Sequence, residues 1–284
     1  MEEKQPKKTR KAGKTVTKVI FFVLLFVFLF SSFQIFMYFR EGSLQQNVNE
    51  QILSQGIRPV QKPDATQTET SEPATQEPQT SESVPPVSTE KQIMTVPDIE
   101  VDFDVLKKYY PDMVAWLYTD GTVIHYPVMQ STDNDYYLYR LPNGDENKAG
   151  SLFLDFSDNA DFSEWIYRIY GHNMQNDTMF GTLLEYRSQT YYDEHPYMFL
   201  FTPEKIYRLE IFAGVHTKAV SYVYYKPQND SERAEYLSQI RKSSVFSSSV
   251  KVSVKDQIVI LSTCSGPVNG DARFVIAAKM VPIS

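Results

Sequence analysis

The chain of 284 residues contains one cysteine, Cys264. That excludes an intramolecular disulfide framework and any zinc or iron–sulfur site built from several thiolates. An excess of basic residues is also missing: 28 Lys and Arg stand against 35 Asp and Glu, a formal net charge of -7. A nucleic-acid partner is therefore not expected, because such proteins carry a dominant basic surface. No cluster of His, Cys and carboxylates and no glycine-rich phosphate loop occurs, so neither a metal nor an organic cofactor is expected. Residues 41 to 97 hold no Phe, Trp or Tyr and are rich in Pro, Thr, Ser, Gln and Glu. Such a stretch buries too little apolar surface to fold, and residues 40–97 are expected to form a disordered tether kept extended by Pro63, Pro73, Pro78, Pro85 and Pro86.

What the chain does have is 42% hydrophobic and 14% aromatic residues, ample for a sizeable core. From Val19 to Phe39 there is no charge and little polarity beyond Ser31, Ser32 and Gln34, a run long enough to span a bilayer as one helix. Lys4, Lys7, Lys8, Arg10, Lys11, Lys14 and Lys18 precede it, so residues 1–18 read as a basic cytoplasmic tail. The positive-inside rule then puts the rest of this single-pass membrane protein outside. The run is longer than the core of a signal peptide and no small-x-small cleavage site follows Phe30, so a retained anchor is expected.

Residues 98–284 read as one globular domain. Val105, Leu106, Tyr109 and Tyr110, preceded by the cap candidate Asp102, predict a short amphipathic helix ending near Pro111. Seven runs rich in Val, Ile, Phe and Tyr follow: Thr122 to Gln130, Ala149 to Phe156, Trp165 to Tyr170, Met198 to Thr202, Ile206 to Gly214, Gln257 to Thr263 and Ala272 to Pro282. Each is bounded by Gly, Asn, Asp or Pro, which predicts a mainly β barrel or sandwich. Asp230 to Lys242 interrupts them as an amphipathic helix with Ala234, Leu237 and Ile240 on one face.

Cys264 follows the apolar run Ile258-Val259-Ile260-Leu261 and precedes Ser265-Gly266-Pro267, so it stands where a rigid strand gives way to a turn. That suits a nucleophile, although a lone thiol is also a common buried core residue. A thiol that attacks a carbonyl needs a base and a donor for the oxyanion. Of four histidines, His172 in Tyr170-Gly171-His172-Asn173-Met174 sits at a strand-to-loop switch, whereas His125, His195 and His216 fall in strand or turn contexts that suit structural roles. Arg273 opens the last strand, where a hairpin would bring its guanidinium beside the sulfur; Asp271 is its candidate ion-pair partner. A hydrolytic cysteine protease and a non-enzymatic, membrane-tethered binding module remain open on these residues alone.

Taken together, Leu261-Ser262-Thr263-Cys264, the Tyr170-Gly171-His172-Asn173 loop and Arg273 resemble the active-site set of the sortases, the cysteine transpeptidases that join proteins to the Gram-positive cell wall. Class B looks closest, through Tyr126-Pro127-Val128, Asp133-Asn134-Asp135-Tyr136-Tyr137, Ala149-Gly150-Ser151-Leu152-Phe153-Leu154-Asp155, Met179-Phe180-Gly181 and the helix before the catalytic strand. The resemblance implies a closed eight-stranded sortase-type β-barrel with peripheral helices behind the transmembrane helix. It implies that Cys264 attacks the threonine carbonyl of a C-terminal sorting motif on a secreted protein, that His172 protonates the leaving amine, and that Arg273 holds the substrate and its oxyanion. A peptidoglycan-precursor amine, or a pilin lysine in a polymerising variant, would resolve the thioester. Ser262, Asn134 and Asn173 are implied substrate-binding residues. Where some class B members carry an acid after the cysteine, this chain has Ser265.

Overall fold

The computed structural model describes residues 10–59, 97–266 and 270–283. The first element, α1 (Arg10–Gly56), is one uninterrupted helix. Its part from Val16 is long and apolar enough to cross a membrane, and Val19 to Phe30 are exposed throughout, as a lipid-facing helix requires. Residues 41–56, expected to belong to the tether, are helical instead. Their apolar residues Val48 and Ile52 recur at helical spacing and are buried, which is the ordering energy that a lack of aromatics alone concealed. Residues 1–9 of the basic tail and 60–96 of the tether lie outside the described residues.

After α1, β1 (Ile57–Pro59) pairs antiparallel with β2 (Ile99–Val101). Helix α2 (Phe103–Tyr109) follows, with the Asp102 carboxylate accepting from the Val105 amide at 3.0 Å. Its buried face is Phe103 and Leu106, joined by Tyr110 just past its end, while Tyr109 points to solvent; the expected face that included Tyr109 is corrected accordingly.

Eight strands then close a barrel: β3 (Met113–Tyr118), β4 (His125–Met129), β5 (Leu152–Leu154), β6 (Ile166–Tyr170), β7 (Tyr197–Phe201), β8 (Ile206–Lys218), β9 (Ile258–Cys264) and β10 (Ala272–Pro282). Their order around the barrel is β10-β8-β7-β3-β4-β5-β6-β9. The pairs β4–β5 and β6–β9 are parallel and the other six antiparallel. The closed eight-stranded architecture is the expected one, and closure leaves no strand edge to protect. Strand β3 was not among the expected runs; only Val114 of its six residues is β-branched, and it is buried from Met113 to Leu117. Between the histidine loop and β7 lie a 3₁₀ helix (Gly181–Arg187) and α3 (Gln189–Glu194). Helix α4 (Asp230–Lys242), within the β8–β9 connection, has the predicted bounds, with the Asn229 side chain accepting from the Glu232 amide as its cap. Its buried face is Tyr236, Leu237 and Ile240 rather than Ala234, Leu237 and Ile240.

Side-chain parity along the strands decides where chemistry can occur. Val259 and Leu261 point into the barrel, whereas Ile258 and Ile260 point out, under α4. On β6, Tyr167 and Ile169 point in and Ile166 out. On β10, Phe274 and Ile276 point in and Val275 and Ala277 out. Because successive residues alternate faces, Arg168, Tyr170, Ser262, Cys264 and Arg273 all belong to the outer face.

Candidate active site

Three strand ends meet at one rim of the barrel. Strands β6 and β9 run parallel with Tyr170 opposite Ser262, so two residues further on His172 reaches the level of Cys264. Strand β10 runs antiparallel to β9 with Arg273 opposite Cys264, which puts their side chains on the same face of the sheet. His172, Cys264 and Arg273 thus line one cleft of about 410 Å³, together with Ser262 and Asn134. Asn173 does not line it; its backbone bridges to Met179 instead. His125 sits against the Trp116 and Tyr118 rings, His195 stacks on Tyr191, and His216 lies beside Phe274, all outside the cleft. Pro267 to Asn269 of the hairpin lie outside the described residues.

The joint between β9 and the loop that carries His172 is tight. The Gly171 amide donates to the Ser262 carbonyl at 3.2 Å, and the buried Thr263 hydroxyl donates to the Gly171 carbonyl at 2.9 Å. Gly171 has no room for a side chain, since a Cβ would lie 2.4 Å from Leu152 Cδ2 and 2.7 Å from Phe180 Cδ2. A glycine at this corner lets the loop turn away while its backbone stays packed on the core.

His172 Nε2 lies 2.7 Å from the Leu138 carbonyl oxygen. A carbonyl only accepts, so Nε2 carries the proton and Nδ1 the lone pair. Burial lowers the His172 pKa below its ordinary 6.5, and the nearby Arg273 charge lowers it further, against the opposing pull of the Leu138 bond. The imidazole is therefore neutral at pH 7. Cys264 is half-buried. Arg273 Nη1 donates to the Gly270 and Ala272 carbonyls, each at 3.0 Å. Among the described residues it has no carboxylate partner: Asp271 pairs with Lys218 at 3.4 Å instead.

Several residues of the cleft carried no sequence signal. Tyr224, from a 3₁₀ turn (Tyr222–Tyr224) far along the chain, meets the Ser262 hydroxyl at 2.7 Å, so that Ser262 is tied to the cleft wall. Asp155 accepts from Tyr170 Oη at 2.9 Å and from Asn134 Nδ2 at 3.0 Å. Burial pushes the Asp155 carboxyl up, but the Ser157 bonds, the Arg168 charge and Asn134 outweigh it and hold the pKa below the ordinary value. Behind it the buried Arg168 reaches Asp158 at 2.5 Å, Asp155 at 3.3 Å and the Tyr224 carbonyl at 3.2 Å. Tyr170 was legible as the residue before Gly171-His172; Tyr224, Asp155 and Leu138 come together only through the fold.

A closed β-barrel with a cysteine, a histidine and an arginine at one outer rim brings together the groups that cysteine-based acyl chemistry requires. No protein-family model matches the chain. Sortase B of Listeria monocytogenes is 36% identical over 179 residues, which span 62% of this chain and 72% of the relative. Among solved structures, the Staphylococcus aureus sortase B–substrate complex superposes with a TM-score of 0.62 at 31% identity, over 64% of this chain and 86% of that one. A crystal structure of sortase B complexed with triglycine gives 0.61 at 30%, over 64% and 86%. The chain belongs to the sortase family, class B, and is a cysteine transpeptidase.

Proposed function

We propose that Cys264, His172 and Arg273 are the catalytic residues of a membrane-anchored enzyme that cleaves a C-terminal sorting motif on secreted proteins and transfers the acyl part to a cell-wall amine. The observation that carries this reading is the convergence of the three side chains in one cleft from three strand ends of fixed register. Cys264 Sγ, its proton passed to the His172 imidazole, attacks the scissile carbonyl. The guanidinium of Arg273, without a carboxylate to neutralise it among the described residues, stabilises the oxyanion. Collapse of the tetrahedral intermediate breaks the C–N bond, and the imidazolium returns its proton to the leaving amine. The incoming amine reverses the sequence: it attacks the thioester carbonyl, loses a proton to His172, and releases the Cys264 thiol.

A neutral imidazole at rest must take the thiol proton before attack and return it to the leaving amine, which makes the rate bell-shaped in pH. Tyr170, Tyr224, Ser262 and Asn134 form the walls against which the motif lies. The related sortase B crystallised with its substrate and the one complexed with triglycine support an acyl donor and an amine acceptor as the two partners. In domain terms, we assign residues 19–39 to the membrane anchor, with the N-terminus cytoplasmic, and residues 98–284 to the extracytoplasmic catalytic domain.

The test is product partition. The full chain in detergent is incubated with a library of candidate sorting peptides, with and without an added amine such as triglycine. Amine-linked product that replaces hydrolysed product as amine is added supports transpeptidation. Hydrolysis unaffected by amine would make the protein a protease, and no cleavage across a broad library would remove the enzymatic reading of this cleft.

A further inference from the structure

Helix α1 does not end where the apolar run ends. Seventeen further residues, Arg40 to Gly56, lie along the catalytic barrel. Ile52 is fully buried and Val48 and Gln45 nearly so, and Val48 and Ile52 belong to the same apolar cluster as Leu106 and Trp116. At the near end, the Glu41 backbone carbonyl accepts from Asn147 Nδ2 at 2.9 Å and its carboxylate pairs with Lys148 at 3.2 Å. At the far end, Gly56 is pressed so closely on Leu106 that a Cβ would lie 2.3 Å from Leu106 Cγ, and its carbonyl accepts from the Asp102 amide at 2.8 Å. The barrel closes through β3 to β10 alone, so its closure does not require this docking.

What the docked helix touches is the segment after His172. Gln45 Nε2 donates to Met179 Sδ at 3.6 Å, and Gln45, Tyr126 and Met179 line one small cavity. The Tyr126 hydroxyl accepts from the Met179 amide at 3.3 Å. Met179 has φ 56, a left-handed conformation that a residue other than Gly, Asn or Asp keeps only when its surroundings impose it. The adjacent Phe180 amide donates to the His172 carbonyl at 2.9 Å, and Met179 bridges to Asn173. A contiguous path of direct contacts thus runs from Gln45 through Met179 and Phe180 to the backbone of His172.

We infer that the extramembrane part of α1 is a positioning element for the histidine loop, so that the membrane anchor and the acyl-transfer centre are one mechanical unit rather than a domain on a loose tether. Gln45 is its positioning residue, and Val48 and Ile52 are its apolar clasp. The inference rests on the proposed role of His172 in proton transfer. It makes the docked helix part of the working enzyme: a protein cut at residue 98 would keep the barrel and Cys264 yet lose the support of the histidine loop.

The experiment uses the full chain in detergent micelles, as wild type, Gln45→Ala, Gln45→Met, and the clasp variant Val48→Asp with Ile52→Asp. Amide hydrogen exchange is followed over residues 172–181 and over β9 and β10, and acylation kinetics use a sorting peptide that the wild type cleaves. The clasp variant is expected to expose 41–56 to exchange and to speed exchange over 172–181, with β9 and β10 unchanged. Its kcat should fall about tenfold or more at an unchanged KM, as for a catalytic group displaced on the order of 1 Å. The acid limb of its pH profile should move up toward the ordinary histidine value as the imidazole loses its burial. Gln45→Ala should show the same signs more weakly, and Gln45→Met should recover them by apolar contact with Met179. Helix release with exchange over 172–181, kcat and acid limb all at wild-type values would overturn the inference. Should the wild type acylate no peptide, the proposed function fails while the exchange comparison still decides the positioning.

Discussion

Replacing Arg168 by methionine removes a buried cation from between two buried carboxylates. The guanidinium side chain is 10% exposed, and those of Asp155 and Asp158 7% and 0%. Arg168 donates to both, to the Ser157 hydroxyl at 2.9 Å and to the Tyr224 carbonyl. Methionine fills much of the volume but satisfies none of these acceptors. Breaking a buried pair by deleting one partner costs about 3–5 kcal/mol, because the remaining charge is stranded. Here Lys226 Nζ stays 3.0 Å from Asp158 Oδ1, which places the loss near the lower end, about 3 kcal/mol. For a domain of this size that corresponds to a melting shift of about 6–12 °C. The loss should shrink as pH falls toward 4, since Asp155, which burial raises and the Arg168 charge helps to lower, then takes up a proton, and it should shrink again when Asp158→Leu is added, because the cation and its main partner go together. The assay is thermal unfolding of the full chain in detergent at pH 7.5 and pH 4.5. A shift under 2 °C at pH 7.5, or one that is independent of pH, would refute the reasoning. Because Arg168 also holds the Tyr224 carbonyl, the KM for a sorting peptide should rise.

Four further outcomes follow from the structure. Thr263→Val leaves the Gly171 carbonyl without its buried donor, which should cost about 1–3 kcal/mol in urea unfolding and lower kcat by loosening the joint between Cys264 and His172. Arg273→Lys keeps the charge but not the planar fork, so acylation should fall about 100-fold, the scale of a lost oxyanion donor, as read by stopped-flow with a cleavable peptide. Burial holds His125 at a pKa of about 4. Its unfolded form, at 6.5, binds more protons below that pH, so stability should be full above 6.5 and decline as pH falls toward 4. The expected loss is on the order of 1–2 kcal/mol by pH 5, and His125→Phe should flatten it in a urea titration. The lowered His172 value acts in the same direction and places the acid limb of kcat/KM below 6.5.

The barrel was legible because most of its strands are short β-branched or aromatic runs closed by Gly, Asn or Pro. Strand β3 was missed: Met113 to Tyr118 holds a single β-branched residue, Val114. The cysteine, histidine and arginine were legible because each stands at a strand end, and parallel or antiparallel register then suffices to bring them to one rim. The outer-face location was implicit in Ile258-Val259-Ile260-Leu261-Ser262-Thr263-Cys264, whose alternation sends Cys264 to the same side as Ile258. Tyr224 and Asp155 were not legible, since they reach the cleft through the Arg168 network, and nothing in the chain order links a turn at 224 to a strand end at 155. The 40–56 segment was misread for a related reason. It carries few apolar residues, but Val48 and Ile52 lie on one helical face against a surface that only the folded barrel supplies.

The central claim is that Cys264 carries the acyl group. The direct measurement is to mix the full chain with a peptide it cleaves, quench in acid within one turnover, digest, and locate the acyl mass by tandem mass spectrometry. The account predicts an acid-stable adduct on Cys264 that disappears on adding triglycine and is absent in Cys264→Ala. Peptide turnover that persists in Cys264→Ala, or an adduct on another residue, would contradict it.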